Sequence, residues 1–372
     1  MTLQAESQLH ETFELNLGPQ HPATHGVLRV KLTMDGEYIV NAEPVLGYIH
    51  RMHEKIGEMR TWAQFMANVG RMDYLSAMAY NHGYVALVER ALGIEVPERA
   101  EYIRVLTVEL NRISSHLLWW GAFVLDLGGF SPLLYAFDDR EQILDLLETV
   151  TGSRLTYSYF RFGGVYNDID ENFIPAALAF VKRLRSRMPM YHDLVTKNII
   201  MMKRLIDVGP ISAEMCRKYG ATGPVLRGSG VNFDVRKNEP YSIYPEIDFD
   251  VPVYHECDSM ARYMVRMDEM DQSMRIIEQC CNKMPEGPVK AKKVPKMIKP
   301  AKQDYYCAVE AARGTFGLRA VSNATNKPYR LKLRSPTFSN LSLFQEASKG
   351  MLLADALALM GSLDLVIPEI DR

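Results

Sequence analysis

The chain has 372 residues, 47% of them hydrophobic and 24% charged, which excludes a disordered polymer and allows one large core or two smaller ones. Its formal charge of -2 gives no basic excess for nucleic acid and no acidic tail. The longest apolar run, Leu117 to Leu125, stops after nine residues at Asp126, well short of the roughly 20 that cross a bilayer.

The segment Met1 to Leu17 carries acids and no apolar core, so neither a secretory signal nor a transit peptide is expected. Next comes Gly18-Pro-Gln-His21-Pro-Ala-Thr-His25-Gly26. Pro22 argues against a helix that would put both histidines on one face, and a bare His-x3-His in a loop is a weak metal signal. Leu28, Val30, Leu32 and Met34 then alternate with Arg29, Lys31, Thr33 and Asp35, the period of a half-buried strand. Asp35-Gly36 predicts a hairpin turn, with Tyr38-Ile39-Val40 returning.

From about Ile49 to Met284 the pattern is helical. Ile103, Leu106, Leu110, Ile113, Leu117 and Trp120 follow 3-4-3-4-3 spacing, one apolar stripe over nearly five turns. Further helices are expected around 54–66, 74–93, 138–150, 173–206 and 258–284. The stretch from Leu226 to Pro252, rich in Gly, Pro, Asn and Tyr, reads as a long ordered excursion. Residues 285–302 carry four prolines and six lysines against one acid. That composition suits a solvated linker, or a basic strip touching an acidic partner or lipid headgroups. Tyr329, Leu331 and Leu333 alternate with Arg330, Lys332 and Arg334, so β structure returns, and a helix is expected at about 341–360. The expected layout is an N-terminal β segment at 1–48, a helical core at 49–284, a basic linker at 285–304, and a C-terminal β segment and helix at 305–372.

Several residues could carry chemistry. Asp126 interrupts an otherwise almost wholly apolar run from Leu117 to Phe137, and a carboxylate there must be paired, neutral or hydrogen-bonded. It serves either as a satisfied helix-terminal residue before Gly128-Gly129 or as the partner of a functional imidazole. In Arg71-Met72-Asp73-Tyr74, Asp73 suits an N-cap and Arg71 a surface charge. Arg227-Gly-Ser-Gly230 faintly suggests an anion-binding turn but lacks a Walker lysine and a dinucleotide fingerprint. The five cysteines (216, 257, 280, 281, 307) include no CxxC and read as reduced thiols. The chain has no local signature for a cluster or a zinc site.

Taken together, Gly18 to Arg29, Arg71-Met-Asp-Tyr74, Glu109-Leu-Asn-Arg-Ile113 with His116, Gly163-Gly164, Arg227 with Ser229-Gly230, and Asp234-Val-Arg-Lys237 resemble the D-subunit family of NADH-quinone oxidoreductases, the quinone-reducing subunits of respiratory complex I. The resemblance runs from about Leu15 to Arg372. That family in turn resembles the large subunit of nickel-iron hydrogenases, which implies an α+β fold: a mainly helical core with flanking N- and C-terminal β segments. The hydrogenases hold nickel and iron with two CxxC pairs. Here the Arg71 to Tyr74 neighbourhood has no cysteine, and Leu365 follows Ser362-Leu-Asp364 where a ligand would be needed, so no metal is expected.

The resemblance implies roles for four residues. His25 and Tyr74 would hydrogen-bond the headgroup of a quinone, menaquinone or ubiquinone. Asp126 would be the partner of His25, and Arg71 would lie near a [4Fe-4S] cluster on a partner subunit. An imidazolium with a pKa of about 6.5 and a phenol of about 10 can both donate to a strongly basic oxygen. His21 would shape the loop. Implied partners are the iron-sulfur B-type subunit, the C-type subunit, and the A-type and H-type membrane subunits, with the chain peripheral on the cytoplasmic side of the inner membrane. Electrons would come from NADH, ferredoxin or reduced deazaflavin through other subunits. A non-catalytic scaffold subunit of a related hydrogenase-like complex is the alternative. Three departures stand out. Met52 lies where the family often has Gly, Thr156 where many members have His, and the 285–304 segment is short. Thr156 would give the partner's cluster a weakly pH-dependent potential suited to a low-potential quinone.

Overall fold

A computed structural model describes residues 12–20 and 26–372. The fold begins with an antiparallel meander of β1 (Thr12–Leu17), β2 (Arg29–Asp35) and β3 (Tyr38–Val45). In β2, Val30, Leu32 and Met34 are buried while Lys31 and Thr33 are half-exposed, as the alternation predicts. The turn falls one residue later than expected. Asp35 still pairs with Tyr38, and Gly36, with φ 57°, opens the two-residue loop that Glu37 closes. β1 sets Leu15 opposite Leu32. The sheet is clamped to the far end of the chain, where Ile39 N donates to Met351 O at 2.9 Å and Gly350 N to Ile39 O at 2.7 Å. Leu28, Val30 and Leu32 share a core with Phe344, Leu359 and Ile367.

The helix expected at 54–66 is two, α1 (His53–Met59) and α2 (Trp62–Val69). Thr61 accepts from Gln64 N, and the Gln64 side chain accepts from Thr61 N, a capping box that starts a new helix. After α3 (Ala77–Leu92) comes α4 (Glu98–Asp126), 29 residues and therefore about 43 Å long. Every residue of the predicted stripe is buried, but so are Arg104, Glu109, Arg112 and His116 on other faces. This is a central helix, wrapped on all sides between Tyr102 and Leu117. α5 (Ser131–Thr151) returns along it.

The expected 173–206 helix is divided into α6 (Phe173–Tyr191), a π turn at His192–Thr196, and α7 (Ile199–Leu205). Pro189, inside α6, lacks the donor that regular helix needs. Short helices α8 (Ala213–Tyr219), α9 (Pro224–Arg227) and α10 (Val235–Asn238) punctuate the irregular region before α11 (Ser259–Lys283), which packs against α4.

Small strands β4 (Phe160–Arg161) and β5 (Gly164–Val165) form a hairpin. The lysine segment is fastened to it: Val165 N donates to Val289 O at 3.1 Å and Ala291 N to Gly163 O at 2.7 Å. A Cβ on Gly164 would lie 2.1 Å from Val289 O, so glycine is what lets the backbones meet. The segment is therefore ordered against the body of the protein. β6 (Asp304–Ala311), β7 (Gly314–Ser322) and β8 (Pro328–Arg334) form a second meander. The helix expected at 341–360 is split into α12 (Pro336–Ala347) and α13 (Leu353–Ser362) around Gly350, φ 75°, before α14 (Ile367–Asp371). The architecture is α+β, and among the described residues no helix is long and apolar enough to cross a membrane.

Candidate functional site

His21 and His25 lie outside the described residues. Gly26, directly after them, lies over the C-terminal segment, where a Cβ on it would be 3.9 Å from Ile367 Cγ1. Two other sequence-predicted residues belong to segments that reach the same stretch of chain.

Asp126 is the last residue of α4 and is half-buried. A carboxylate at a helix C-terminus faces the negative end of the helix dipole, so helix stability does not favour an acid here. The turn that leads to it is fixed by α13. Trp119 Nε1 donates to Gly361 O at 2.8 Å, and a Cβ on Gly361 would lie 2.6 Å from Phe123 Cδ2. Beyond Asp126 the surface carries the exposed apolar side chains of Phe130, Leu134, Ile199 and Ile200. A cavity of about 370 Å³ lies between the α4–α5 turn and α7.

Tyr74 is half-buried in the turn before α3, and Arg71 is exposed at the start of that turn. Asp73 is sealed from solvent and does more than cap. Its Oδ1 accepts from Leu75 N and Ser76 N, both at 3.1 Å, and its carboxylate pairs with Arg313 Nη1 at 3.0 Å. Arg313 stands at the tip of the β6–β7 hairpin, and its Nη2 donates to Asp364 at 3.1 Å. Arg313 thus ties the Asp73-Tyr74 turn to the Ser362-Asp364 segment, the two places where the hydrogenase resemblance would require cysteines. Burial pushes the Tyr74 phenol above its usual value; Arg313 opposes this, and Asp73 and Asp364 add to it. The Tyr74 phenol is thus kept protonated.

Gly26 and the last turns of α4 therefore lie against residues 361–367, and Arg313 links Asp73 to Asp364 in the same stretch. Arg313 was not visible in the sequence as a site residue, because its partner Asp73 lies 240 positions away. Its presence at a hairpin tip, where an exposed residue is usual, was the signal that could have found it.

Behind this stretch lies a buried ionic network that sequence patterns alone did not bring together. His116 Nε2 and Glu269 Oε2 are 2.9 Å apart, and Arg227 pairs with Glu269 and, at 2.8 Å, with Glu310. Arg236 joins Asp234 at 2.7 Å to Glu109 at 3.2 Å. Burial works against the charge on Glu269, yet Arg227 and His116 hold it well below the usual carboxylate range. Arg227 is thus paired with Glu269 and Glu310 and donates to Phe233 O at 3.0 Å, so its charge is committed inside the protein and the Arg227-Gly-Ser-Gly230 turn is not a free anion site. The signal was present in Glu109, Arg112 and His116, titratable residues at 3-4 spacing on one face of a helix that the apolar stripe already predicts. Among the described residues no three His, Cys, Asp or Glu side chains gather as a metal site; the carboxylates here face arginines.

The chain resembles known proteins over nearly its whole length. Residues 126–372 match the family model of the respiratory-chain NADH dehydrogenase 49 kDa subunit. The NADH-quinone oxidoreductase D-type subunit of Desulfotalea psychrophila is 72% identical over 97% of this chain and 97% of its own. A second such D-type subunit, from Opitutus terrae, is 66% identical, covering 98% of this chain and 91% of its own, and that of Syntrophobacter fumaroxidans is 56% identical over 97% of each.

Proposed function

Since this chain belongs to the 49 kDa, D-type subunit family of NADH-quinone oxidoreductases, we propose that its stretch 361–367 backs a quinone pocket in which His25 and Tyr74 donate to the two headgroup oxygens. The protein is a quinone-site subunit of that oxidoreductase, and it works as one part of a multisubunit complex. The observation that supports the residue assignment is that Gly26 and the last turns of α4 lie against one C-terminal stretch, to which Arg313 also ties Asp73, the neighbour of Tyr74.

Quinone reduction takes up two electrons and two protons, and an unprotonated dianion in a dry pocket is strongly disfavoured. Tyr74, its pKa raised by burial, keeps a proton to donate. Asp126 favours the charged imidazole of His25; at roughly 4 Å and an effective dielectric of about 20 such a pair is worth about 4 kcal/mol before desolvation. Loss of the imidazole proton leaves that carboxylate partly uncompensated, and this change of charge starts the coupling to proton translocation. Arg71, exposed, faces the partner's iron-sulfur cluster, a [4Fe-4S] centre on the B-type subunit that supplies the electrons. The C-type subunit and the A-type and H-type membrane subunits complete the neighbourhood, on the cytoplasmic side of the inner membrane. The apolar surface beyond Asp126 suits the entry of a lipid-soluble substrate, menaquinone or ubiquinone. Thr156, half-buried with φ 54°, offers no titrating group to the cluster, so a potential that changes little with pH, suited to menaquinone, is expected.

The test is quinone reduction by the assembled complex. Tyr74→Phe should raise the KM for a short-chain quinone and lower kcat about 10- to 100-fold, the range expected for loss of a positioned proton donor. Asp126→Asn should reduce both turnover and proton translocation. Wild-type activity and pumping in both variants would defeat the assignment.

A further inference from the structure

The lysine segment carries an inference of its own. Lys290, Lys292, Lys293, Lys296, Lys299 and Lys302 are all exposed, and among the described residues none forms an ion pair within the chain. A solvated linker would leave such charges on a mobile backbone. Here the backbone is fastened by the Val165–Val289 and Ala291–Gly163 hydrogen bonds, and Arg99 Nη1 donates to Pro285 O at 2.8 Å.

The strip also has an apolar floor. A cavity of about 1000 Å³ lies between residues Lys290 to Pro295 and the α3–α4 turn, where Leu92, Ile94 and Val96 line it. Val294 and Met297 are exposed beside it. At the rim Tyr166, 53% exposed, has the Arg161 guanidinium 5.0 Å and the Lys290 ammonium 5.6 Å from its ring centre, a pair of cation–π contacts that keeps both charges at the edge. Glu95, Glu98 and Glu286 are exposed acids nearby, and Asp168 is already paired with Arg99 at 3.0 Å, too few to balance the cations.

We propose that residues 288–302, with the cavity behind them, form a docking face for an acidic stretch of a neighbouring polypeptide in the complex, one that also presents an apolar side chain to the Ile94–Val294 floor. A pre-ordered row of cations lowers the entropic cost of binding such a segment and steers its approach. The choice of protein over lipid rests on the quinone reading. The strip flanks the first residues of α4 and Asp126 is the last, so the two sites stand about 43 Å apart. If Asp126 marks the end that a lipid-soluble substrate reaches, the strip lies away from the bilayer.

A photoreactive amino acid at position 294 of the intact complex tests this. The expected product is one cross-link, to a peptide of another subunit rich in Asp and Glu. Adducts with lipid, or no adduct above solvent quenching, would overturn the proposal. In parallel, the triple change Lys292→Glu, Lys293→Glu and Lys296→Glu should reduce retention of the cross-linked subunit about tenfold during salt washing, while Lys→Arg at the same positions retains it. Unaltered retention in the triple variant also overturns it. Quinone reduction per intact complex should stay at the wild-type rate in the Arg variant. Failure of the Tyr74 and Asp126 variants to affect quinone chemistry would therefore be distinguishable from failure of the docking face.

Discussion

Arg313 Nη1 lies 3.0 Å from Asp73 Oδ2, and neither side chain reaches solvent. The guanidinium is shared, since Nη2 holds Asp364. Burial and the second carboxylate push Asp73 up against the pull of Arg313. Replacing Arg313 with Met strips buried Asp73 of its cation and leaves Asp364 only Arg266, at 3.8 Å, a change expected to cost about 3–5 kcal/mol. The carboxylates then take up protons more readily, so the loss should be larger at high pH than at low pH. Arg313→Lys keeps the charge but loses the fork and should cost less. Pulse proteolysis of the chain within the assembled complex gives these stabilities; a Met variant as stable as wild type at alkaline pH would refute the account.

The hairpin tip that carries Arg313 depends on two glycines. A Cβ on Gly223 would lie 2.4 Å from Gly314 Cα, and one on Gly314 would lie 2.6 Å from Thr222 Oγ1. Both have positive φ, 70° and 128°. Alanine at either position should destabilise by about 2–4 kcal/mol through overlap and backbone strain. It should also raise the KM for quinone, because the tip moves and Asp73 with it. A stability loss with KM unchanged would uncouple the tip from Tyr74.

Much of the scaffold was legible in the sequence, and particular residues show where legibility stopped. The stripe from Ile103 to Trp120 announced α4 because a period near 3.6 leaves few alternatives. The break between α1 and α2 was also written locally, in Thr61 and Gln64 three apart. The split near Gly350 was signalled by glycine alone, which helix patterns tolerate. Tyr74 and Asp126 came from a resemblance. Local signals could flag Arg313 and His116 but could not pair Arg313 with Asp73 or join Arg227, Glu269 and His116, since the partners are far apart in the chain and periodicity carries no such information.

His82 sets an acid limit. It is buried, with Phe160 and Tyr241 edge-on to its ring, and burial lowers its pKa to about 4 although Glu101 lies 3.9 Å away. That separation is too long for a hydrogen bond, so burial prevails and the ring stays neutral. The unfolded chain takes up the proton first, near pH 6.5, so stability falls as pH drops from about 6.5 to about 4, by a few kcal/mol in all. His53, lowered to about 4 chiefly by burial, adds to the same slope. His82→Phe should flatten the pH dependence of unfolding in that window. An unchanged slope would mean that His82 is protonated in the native state.

Met52 begins α1 in a left-handed conformation, φ 54°, with its side chain 56% exposed. An L-residue there costs about 1–2 kcal/mol, against the extra chain entropy of glycine, about 0.5–1 kcal/mol. Met52→Gly should therefore raise stability by a few tenths to about 1 kcal/mol. A fall in the proteolysis midpoint would show that the exposed side chain contributes packing.

The 29 residues of α4 separate the two proposed sites. Perturbations that far apart, with no partner in common, are expected to sum to within about 0.5 kcal/mol. A chain altered both in its lysine row and at its Asp126 end should then show the arithmetic sum of the two single defects. Each end can be retuned on its own, the one for a new neighbour and the other for a new substrate, without renegotiating what the opposite end already does.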